Sequence, residues 1–219
     1  TAAPERAAEA AVTVARALAL GEKAWPHQKA DTRFAQWHVR ARTVQAQTLR
    51  NEQTRVMARF GARLVANGYA ILPISPGTKK PGQFKRGAWA EYPEWNRHAD
   101  RPTTDVEVAT WSSWPECGIG VVGGAVAAVD IDITEDAELA LQIERLARAR
   151  LGDTPALRIG RAPKRMLVYR ASEPFRGIKR HPLEVLCLGQ QFVAYANHPD
   201  TGLPYAWPEE GLADLDILA

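Results

Sequence analysis

The chain has 219 residues, of which 46% are hydrophobic and 24% charged, and its 28 Lys and Arg against 25 Asp and Glu give a formal charge of +3. This length predicts one large domain, or one domain with an appendage. No apolar run approaches the ~18 residues of a membrane-spanning helix, so the composition excludes a membrane protein. Cys117 and Cys187 are too few for a disulfide framework or a zinc set, which favours a reducing cytosol.

The small net charge hides an uneven distribution along the chain. Residues 1–60 carry 10 basic and 5 acidic side chains, and residues 156–181 carry 8 basic side chains against Glu173 alone. Residues 182–219 have no Lys or Arg and six carboxylates. Concentrated basic charge beside concentrated carboxylates points to phosphate and metal chemistry.

Residues 1–52 predict a basic, helical N-terminal extension. Helices are expected over 4–20 and from about Asp31 to Asn51, and a third runs to Asn67 before Gly68 ends it. One interpretation of this region is a helical bundle whose charged face is exposed to solvent. Its basic charge and Trp37, beside His38, would also suit a single-stranded template bound by stacking and backbone contact.

From residue 69 onward, the sequence pattern predicts more strands than helices. Residues 53–219 are predicted to form the main domain. A short helix is expected to begin at Thr103 or Thr104, and a longer one over 135–151, with Leu139, Ile143, Leu146 and Ala147 on one face. Segment 89–95 is expected to be irregular. Strands are expected over 69–74, 118–122, 125–133, 157–161, 166–169, 183–188 and 192–196. Several strands follow one another directly, which predicts an α+β fold with a mixed or antiparallel sheet.

The most informative segment is residues 129–133, with the sequence Val-Asp-Ile-Asp-Ile. Side chains alternate along a strand, so Asp130 and Asp132 are expected on one face. Adjacent carboxylates repel each other unless a cation lies between them or one is protonated. Their hard oxygen atoms suit Mg²⁺ or Mn²⁺, although a short Asp-x-Asp motif is also common where a strand end faces water.

Two further features favour a metal site that handles phosphates. Glu184 stands among apolar residues of a second strand and would supply a third carboxylate. The loop between the acidic segments carries Arg161, Lys164 and Arg165, which are expected to hold a triphosphate or else to be solvated surface charges.

In order, these segments resemble the bifunctional primase/polymerase (prim-pol) domain of the archaeo-eukaryotic primase superfamily, in its phage and plasmid branch. The resemblance covers roughly residues 55–208. It rests on the order of segments 76–81, 103–105, 118–121, 130–132, 158–165, 184–186, 189–192 and 198–207. It implies a primase-polymerase-like catalytic core whose sheet is RRM-like in one half.

The resemblance also implies roles for individual residues. Asp130 and Asp132 match the family's first acidic motif, and Glu184 matches the acidic position of the third, so all three would be catalytic and bind two Mg²⁺ or Mn²⁺ ions. The second motif departs from the pattern, because many members have a His there and this loop offers only cations. His198 is a candidate for nucleotide binding.

Two lysines and the family's partners complete the interpretation. Lys79 and Lys80 are candidates for template or phosphate contacts, although a solvated turn also explains them. The resemblance implies a nucleotidyltransferase that joins NTPs or dNTPs on a single-stranded or primed DNA template, for replication of a mobile element. A helicase domain or subunit is an expected partner, and no membrane is expected as a partner. The resemblance also implies a cytoplasmic location in a bacterial or phage-infected cell.

Other classes of protein remain open at this point. A degenerate replication initiator, or another DNA-binding module, is compatible with the missing His. A nuclease or a glycosyltransferase can also use an Asp-x-Asp motif to bind its metal ion.

Overall fold

The computed structural model describes residues 55–218, which form three α-helices, ten strands and two short 3₁₀ helices. The helices are α1 (Val56–Ala66), α2 (Asp105–Ser112) and α3 (Ala137–Leu151), and the 3₁₀ helices are Trp95–Ala99 and Leu212–Asp214. The strands are β1 (Ile71–Ile74), β2 (Gly82–Lys85), β3 (Ala88–Glu91), β4 (Gly118–Val122), β5 (Val126–Ile131), β6 (Leu157–Arg158), β7 (Arg165–Arg170), β8 (Ile178–Arg180), β9 (Leu183–Leu186) and β10 (Gln191–Tyr195).

Two sheets form the framework of this region. The first has the strand order β1-β4-β10, the second has the order β6-β7-β5-β9-β8, and β2 and β3 form a separate hairpin. All pairs between these strands are antiparallel. This confirms the predicted α+β class and the antiparallel form of its sheets.

The chain passes from the first sheet to the second through Gly123, between β4 and β5. A Cβ atom on Gly123 would lie 2.3 Å from the carbonyl oxygen of Cys187. Only glycine allows the two backbone segments to approach this closely.

Helices α1 and α2 pack together beside the first sheet. Met57, Gly61 and Leu64, spaced four and three residues apart, are the buried residues of α1. A Cβ atom on Gly61 would lie 2.8 Å from Cγ1 of Val108 on α2, so the glycine permits close approach of the two helices. Thr104 caps α2 through a capping box with Glu107, one of the two caps expected from the sequence.

The predicted helix over 135–151 is present as α3, but the predicted buried face was partly wrong. Leu139 and Leu146 are 42% and 55% exposed, whereas Ala140 and Glu144 are buried. Glu144 can be buried because Arg148 and Arg165 both form ion pairs with its carboxylate. The apolar pattern alone placed the two leucines inward, and these ion pairs explain why a carboxylate is buried instead.

Three strands, β2, β3 and β8, were absent from the sequence-based expectation. Segment 89–95 was expected to be irregular, but its first residues belong to β3 of the β2–β3 hairpin. The two turn residues, Arg86 and Gly87, have φ angles of 53° and 82°, as a tight hairpin turn requires. Strand β8 is exposed at all three positions, so it lacks the alternation of buried and exposed residues by which a strand is recognised.

The expected helices over 4–20 and 31–51, including Trp37, lie outside the described residues. Among the described residues, no helix is long and apolar enough to cross a membrane. The two cysteines are both buried and free.

Candidate active site

The acidic segment lies on the central strand of the five-stranded sheet. Strand β5 is hydrogen-bonded between β7 and β9, and Asp130 is paired in register with Met166 on one side and Glu184 on the other. Val129 and Ile131 are buried in a small apolar core on the opposite face. This alternation directs Asp130 away from that core, as expected from the sequence.

Asp132 follows the last residue of β5 and is held by the backbone. Its N–H donates to the carbonyl oxygen of Pro182 at 2.8 Å. The strand geometry therefore continues far enough to bring Asp132 to the same cleft as Asp130.

The carboxylate of Asp130 has a raised pKa. Burial is the main cause, and the negative charges of Asp132 and Glu184 raise the pKa further. Arg158 and Lys79 oppose these effects with positive charge. Asp130 is thus a carboxylate whose ionised form is costly unless a cation is close.

Arg158, on β6, is the main site residue to which the sequence interpretation assigned no role. Its side chain is only 8% exposed, and its Nη1 donates to the carbonyl oxygen of Val193. The guanidinium carbon lies 4.6 Å from the ring centroid of Tyr205 and 5.9 Å from that of Phe192. Burial lowers the pKa of Arg158, while the charge of Asp130 raises it. The only sequence signal was an arginine inside a short apolar strand, between Leu157 and Ile159.

A cleft of about 150 Å³ opens beside Asp130. Five cationic side chains and two carboxylates line it together with a histidine and a tyrosine. They are Lys79, Asp130, Asp132, Arg158, Arg161, Lys164, Arg165, His198 and Tyr205, with Gly160 between the cations. The structure therefore brings together most of the site residues expected from the sequence, and the lining carries more positive than negative charge.

The cations of the loop between β6 and β7 differ in their partners. Lys164 forms an ion pair with Asp132, and this hydrogen bond is the main reason that the pKa of Asp132 is lowered. Arg161 is half exposed and lies 3.7 Å from Asp200. Arg165 contacts Glu144 of α3 and the carbonyl oxygen of Pro163, so its guanidinium is held against the helix.

His198 lies in the cleft and is 4% exposed. Its Nδ1 accepts a hydrogen bond from the backbone N–H of Asp200 at 3.2 Å. Burial first, and the positive charge of Lys79 next, lower its pKa. A neutral imidazole that accepts at Nδ1 carries its proton on Nε2, so His198 has a hydrogen-bond donor to offer.

Two of the predicted site residues do not line the cleft. Glu184 is adjacent to Asp130 on the neighbouring strand, but its carboxylate lies 3.5 Å from Nζ of Lys179 on β8. Lys80 is exposed in the turn beyond Lys79. Within residues 55–218, no group of three or more His, Cys, Asp and Glu side chains is already arranged as a metal site.

The donor set of the cleft nevertheless fits a hard divalent cation. Asp130 is destabilised by burial and by the neighbouring negative charges of Asp132 and Glu184. A divalent cation beside Asp130 and Asp132 would reduce this repulsion, and carboxylate oxygens are the ligands that Mg²⁺ and Mn²⁺ prefer.

A larger cavity, of about 420 Å³, lies at the opposite end of β5. Val126 lines it, four residues before Asp130 and therefore about 13 Å away along the strand. Its lining is mainly apolar and backbone, and its one arginine, Arg101, is paired with Glu107. The smaller cleft carries the concentrated charge and is therefore the candidate functional site.

Carboxylates that can hold a metal ion, beside cations that can neutralise phosphate charge, are the combination that phosphoryl-transfer enzymes use. A family model described as "bifunctional DNA primase/polymerase, N-terminal" matches residues 61–217. Because the match spans most of the chain, this chain belongs to that family, and the resemblance inferred from its segments is confirmed. A comparison with curated proteins finds no match.

Proposed function

We propose that this chain is a metal-dependent nucleotidyltransferase that joins NTPs or dNTPs on a DNA template. Membership of the primase/polymerase family gives the general activity. The observation that carries the proposal is the pairing of Asp130 and Asp132 with five cations in one cleft. This combination suits a substrate that brings both a metal ion and a triphosphate.

Asp130 and Asp132 are the residues that would hold Mg²⁺ or Mn²⁺, with Glu184 adding negative charge from the neighbouring strand. When bound there, such an ion makes a 3′-hydroxyl more acidic and neutralises charge that develops at the α-phosphate. The buried Arg158 favours the ionised form of Asp130, because its positive charge opposes the rise in pKa that burial causes.

The cations and His198 would bind the triphosphate. Lys164 already lies on Asp132, so a phosphate beside Asp132 is within its reach. Arg161 is half exposed at the mouth of the cleft. His198 would donate from Nε2 to a phosphate oxygen, which offers a physical replacement for the histidine missing from the loop.

The test is template-directed incorporation of labelled nucleotides by the full chain, in Mg²⁺ and in Mn²⁺. The double variant Asp130→Asn, Asp132→Asn is expected to lose at least about 100-fold in rate, because several kcal/mol of charge stabilisation depends on these carboxylates. A matched control, Glu135→Gln with Glu173→Gln, removes two exposed acids outside the cleft and should retain the rate. Undiminished synthesis by the Asp130/Asp132 variant would refute the proposal.

The same preparations separate the alternative activities. Labelled DNA incubated with metal and no nucleotide reports nuclease action, and a sugar nucleotide incubated with metal reports glycosyl transfer. DNA binding without any incorporation, in either metal, would identify a non-catalytic binding module. Each of these results would replace polymerisation as the assigned activity.

A further inference from the structure

A row of exposed cations leads from the cleft to the tip of the β2–β3 hairpin. We call Lys79, Lys80, Lys85 and Arg86 the basic ribbon. All four are exposed, and segment 75–90, which contains them, has no Asp or Glu. In the described part of the chain, no carboxylate lies within 4 Å of any of their cationic groups, unlike Arg161, Lys164 and Lys179.

The ribbon begins inside the proposed active site. Lys79 lines the cleft, and its positive charge lowers the pKa of Asp132 and of His198. The carbonyl oxygen of Lys79 accepts a hydrogen bond from Nε2 of Gln191 on β10 at 2.8 Å, which fixes this end of the turn. Arg86 is the seventh residue after Lys79, so the ribbon spans at most about 25 Å.

The hairpin that carries the far end of the ribbon is firmly anchored. Phe84 and Trp89 face each other across the two strands with ring centroids 5.8 Å apart, and Trp89 lies edge-on to Trp114 at 5.7 Å. Nε2 of Gln83 also donates to the carbonyl oxygen of Glu91 at 2.7 Å. The tip is therefore held by aromatic packing at its base.

On the outer face of the hairpin, Lys85 has only a small side chain opposite it. Lys85 is paired in register with Ala88, and both are exposed, so no large side chain covers the lysine from across the strands. Arg86 occupies the turn itself. Two cations at the tip of the hairpin, together with Lys79 in the cleft and Lys80 beside it, form a track for a linear polyanion.

We propose that the basic ribbon binds the phosphate backbone of the single-stranded template where it meets the cleft. This inference rests on the proposed function, because it gives the ribbon the nucleic acid that the cleft would copy. A row of point charges without carboxylate partners suits backbone phosphates, which carry one negative charge per nucleotide. A single strand is favoured over a duplex because the ribbon is one hairpin wide and starts in a cleft of only about 150 Å³.

The test is binding of a fluorescently labelled single-stranded DNA by the full chain, measured by anisotropy at several salt concentrations. The variant Lys85→Gln, Arg86→Asn removes both tip charges, and Asn tolerates the left-handed backbone that residue 86 adopts. Loss of two contacts with single-stranded DNA is expected to weaken binding about tenfold near 0.1 M salt and to reduce the slope of log K against log salt by about 1.4.

Two further variants keep the result interpretable. Arg145→Gln with Arg150→Gln removes the same charge from exposed positions on α3, and should leave affinity and slope near wild type. Lys85→Arg with Arg86→Lys keeps both charges and should restore binding. An unchanged slope in the tip variant, an equal loss in the α3 variant, or a loss confined to duplex DNA would overturn the proposal. If the tip variant lost binding to anionic vesicles but retained binding to DNA, the proposal would be overturned as well.

The outcome is independent of whether the cleft is catalytic. Anisotropy requires no incorporation, and the Asp130/Asp132 variant is expected to retain the ribbon and its affinity for DNA. Loss of binding in the tip variant, together with full synthesis by the Asp130/Asp132 variant, would sustain the ribbon and reject the catalytic assignment.

Discussion

Replacing Arg158 by methionine would test whether its buried guanidinium stabilises the fold around the proposed metal-binding strand. Methionine keeps much of the length of the side chain but removes the charge and all donors. The change leaves Asp130 without its main buried cation and the carbonyl oxygen of Val193 without its donor. It also removes the cation from the ring of Tyr205, 4.6 Å away.

The expected loss of stability follows from this burial. Arg158 is 8% exposed, so its removal leaves the carbonyl oxygen of Val193 without this buried donor and withdraws the positive charge that opposes the raised pKa of Asp130. Together these losses are expected to cost about 2–4 kcal/mol. A loss of about 4 kcal/mol changes the unfolding equilibrium constant roughly 1000-fold. Asp130 can escape part of this cost by taking up a proton, since its pKa is already raised in the folded state. The folded variant then binds more protons than the unfolded chain, so the loss should be smaller at pH 5 than at pH 8.

Urea unfolding of the wild type, Arg158→Met, Asp130→Asn and the double variant measures both the loss and the coupling. The sum of the two single losses should exceed the loss of the double variant by at least about 1 kcal/mol, as expected for two charges that influence each other's pKa. Arg59→Met is the matched control, because Arg59 lies 4.8 Å from the ring centroid of Phe60 but is exposed. Its loss should be about 0.5–1 kcal/mol. Equal losses for Arg158→Met and Arg59→Met, or strictly additive losses in the cycle, would refute the reasoning.

Two further predictions concern His98 and Gly160. Burial lowers the pKa of His98 from 6.5 to about 4, so the unfolded chain binds a proton that the folded chain does not, and stability should fall by about 2 kcal/mol between pH 7.5 and pH 5 through this group. An NMR titration of the His98 ring with a midpoint at 6 or above would contradict this. A Cβ atom on Gly160 would lie 2.4 Å from Cε1 of Tyr205 and 2.9 Å from Cδ2 of His198, so Gly160→Ala should displace both rings, cost about 1–3 kcal/mol, and raise KM for the nucleotide more than it lowers kcat. An unchanged KM would show that the positions of these rings do not matter for binding.

The sequence was most informative where chemistry and periodicity coincide. Alternation along β5 correctly predicted that Asp130 is directed away from the apolar core, and the order of segments predicted the family. The same reasoning missed Arg158, because an arginine in a short strand looks like an exposed charge until the strands around it are known. The cleft position of His198 likewise depends on how the segment after β10 returns to the second sheet, which spacing along the chain does not reveal.

Local patterns failed where tertiary contacts outweigh them. Leu139 and Leu146 were expected inside, but ion pairs from Arg148 and Arg165 bring Glu144 against the sheet instead. The contacts of Glu184 also depend on tertiary structure that the sequence does not reveal. Its register with Asp130 follows from a strand pairing, while its nearest charged partner, Lys179, lies on a strand that has no buried face to indicate it.

The cleft is assembled from both sheets, and this has a consequence for how the domain responds to a ligand. Lys79 and His198 follow strands of the three-stranded sheet, whereas Asp130 and Asp132 belong to the central strand of the other. Arg158 of β6 donates to Val193 of β10, and Ile159 forms a bridge with Ala206 in the segment after β10. A nucleotide held by side chains from both sides would act as a cross-link between the sheets, so that backbone amides far from the cleft would exchange their hydrogens more slowly and as one cooperative unit.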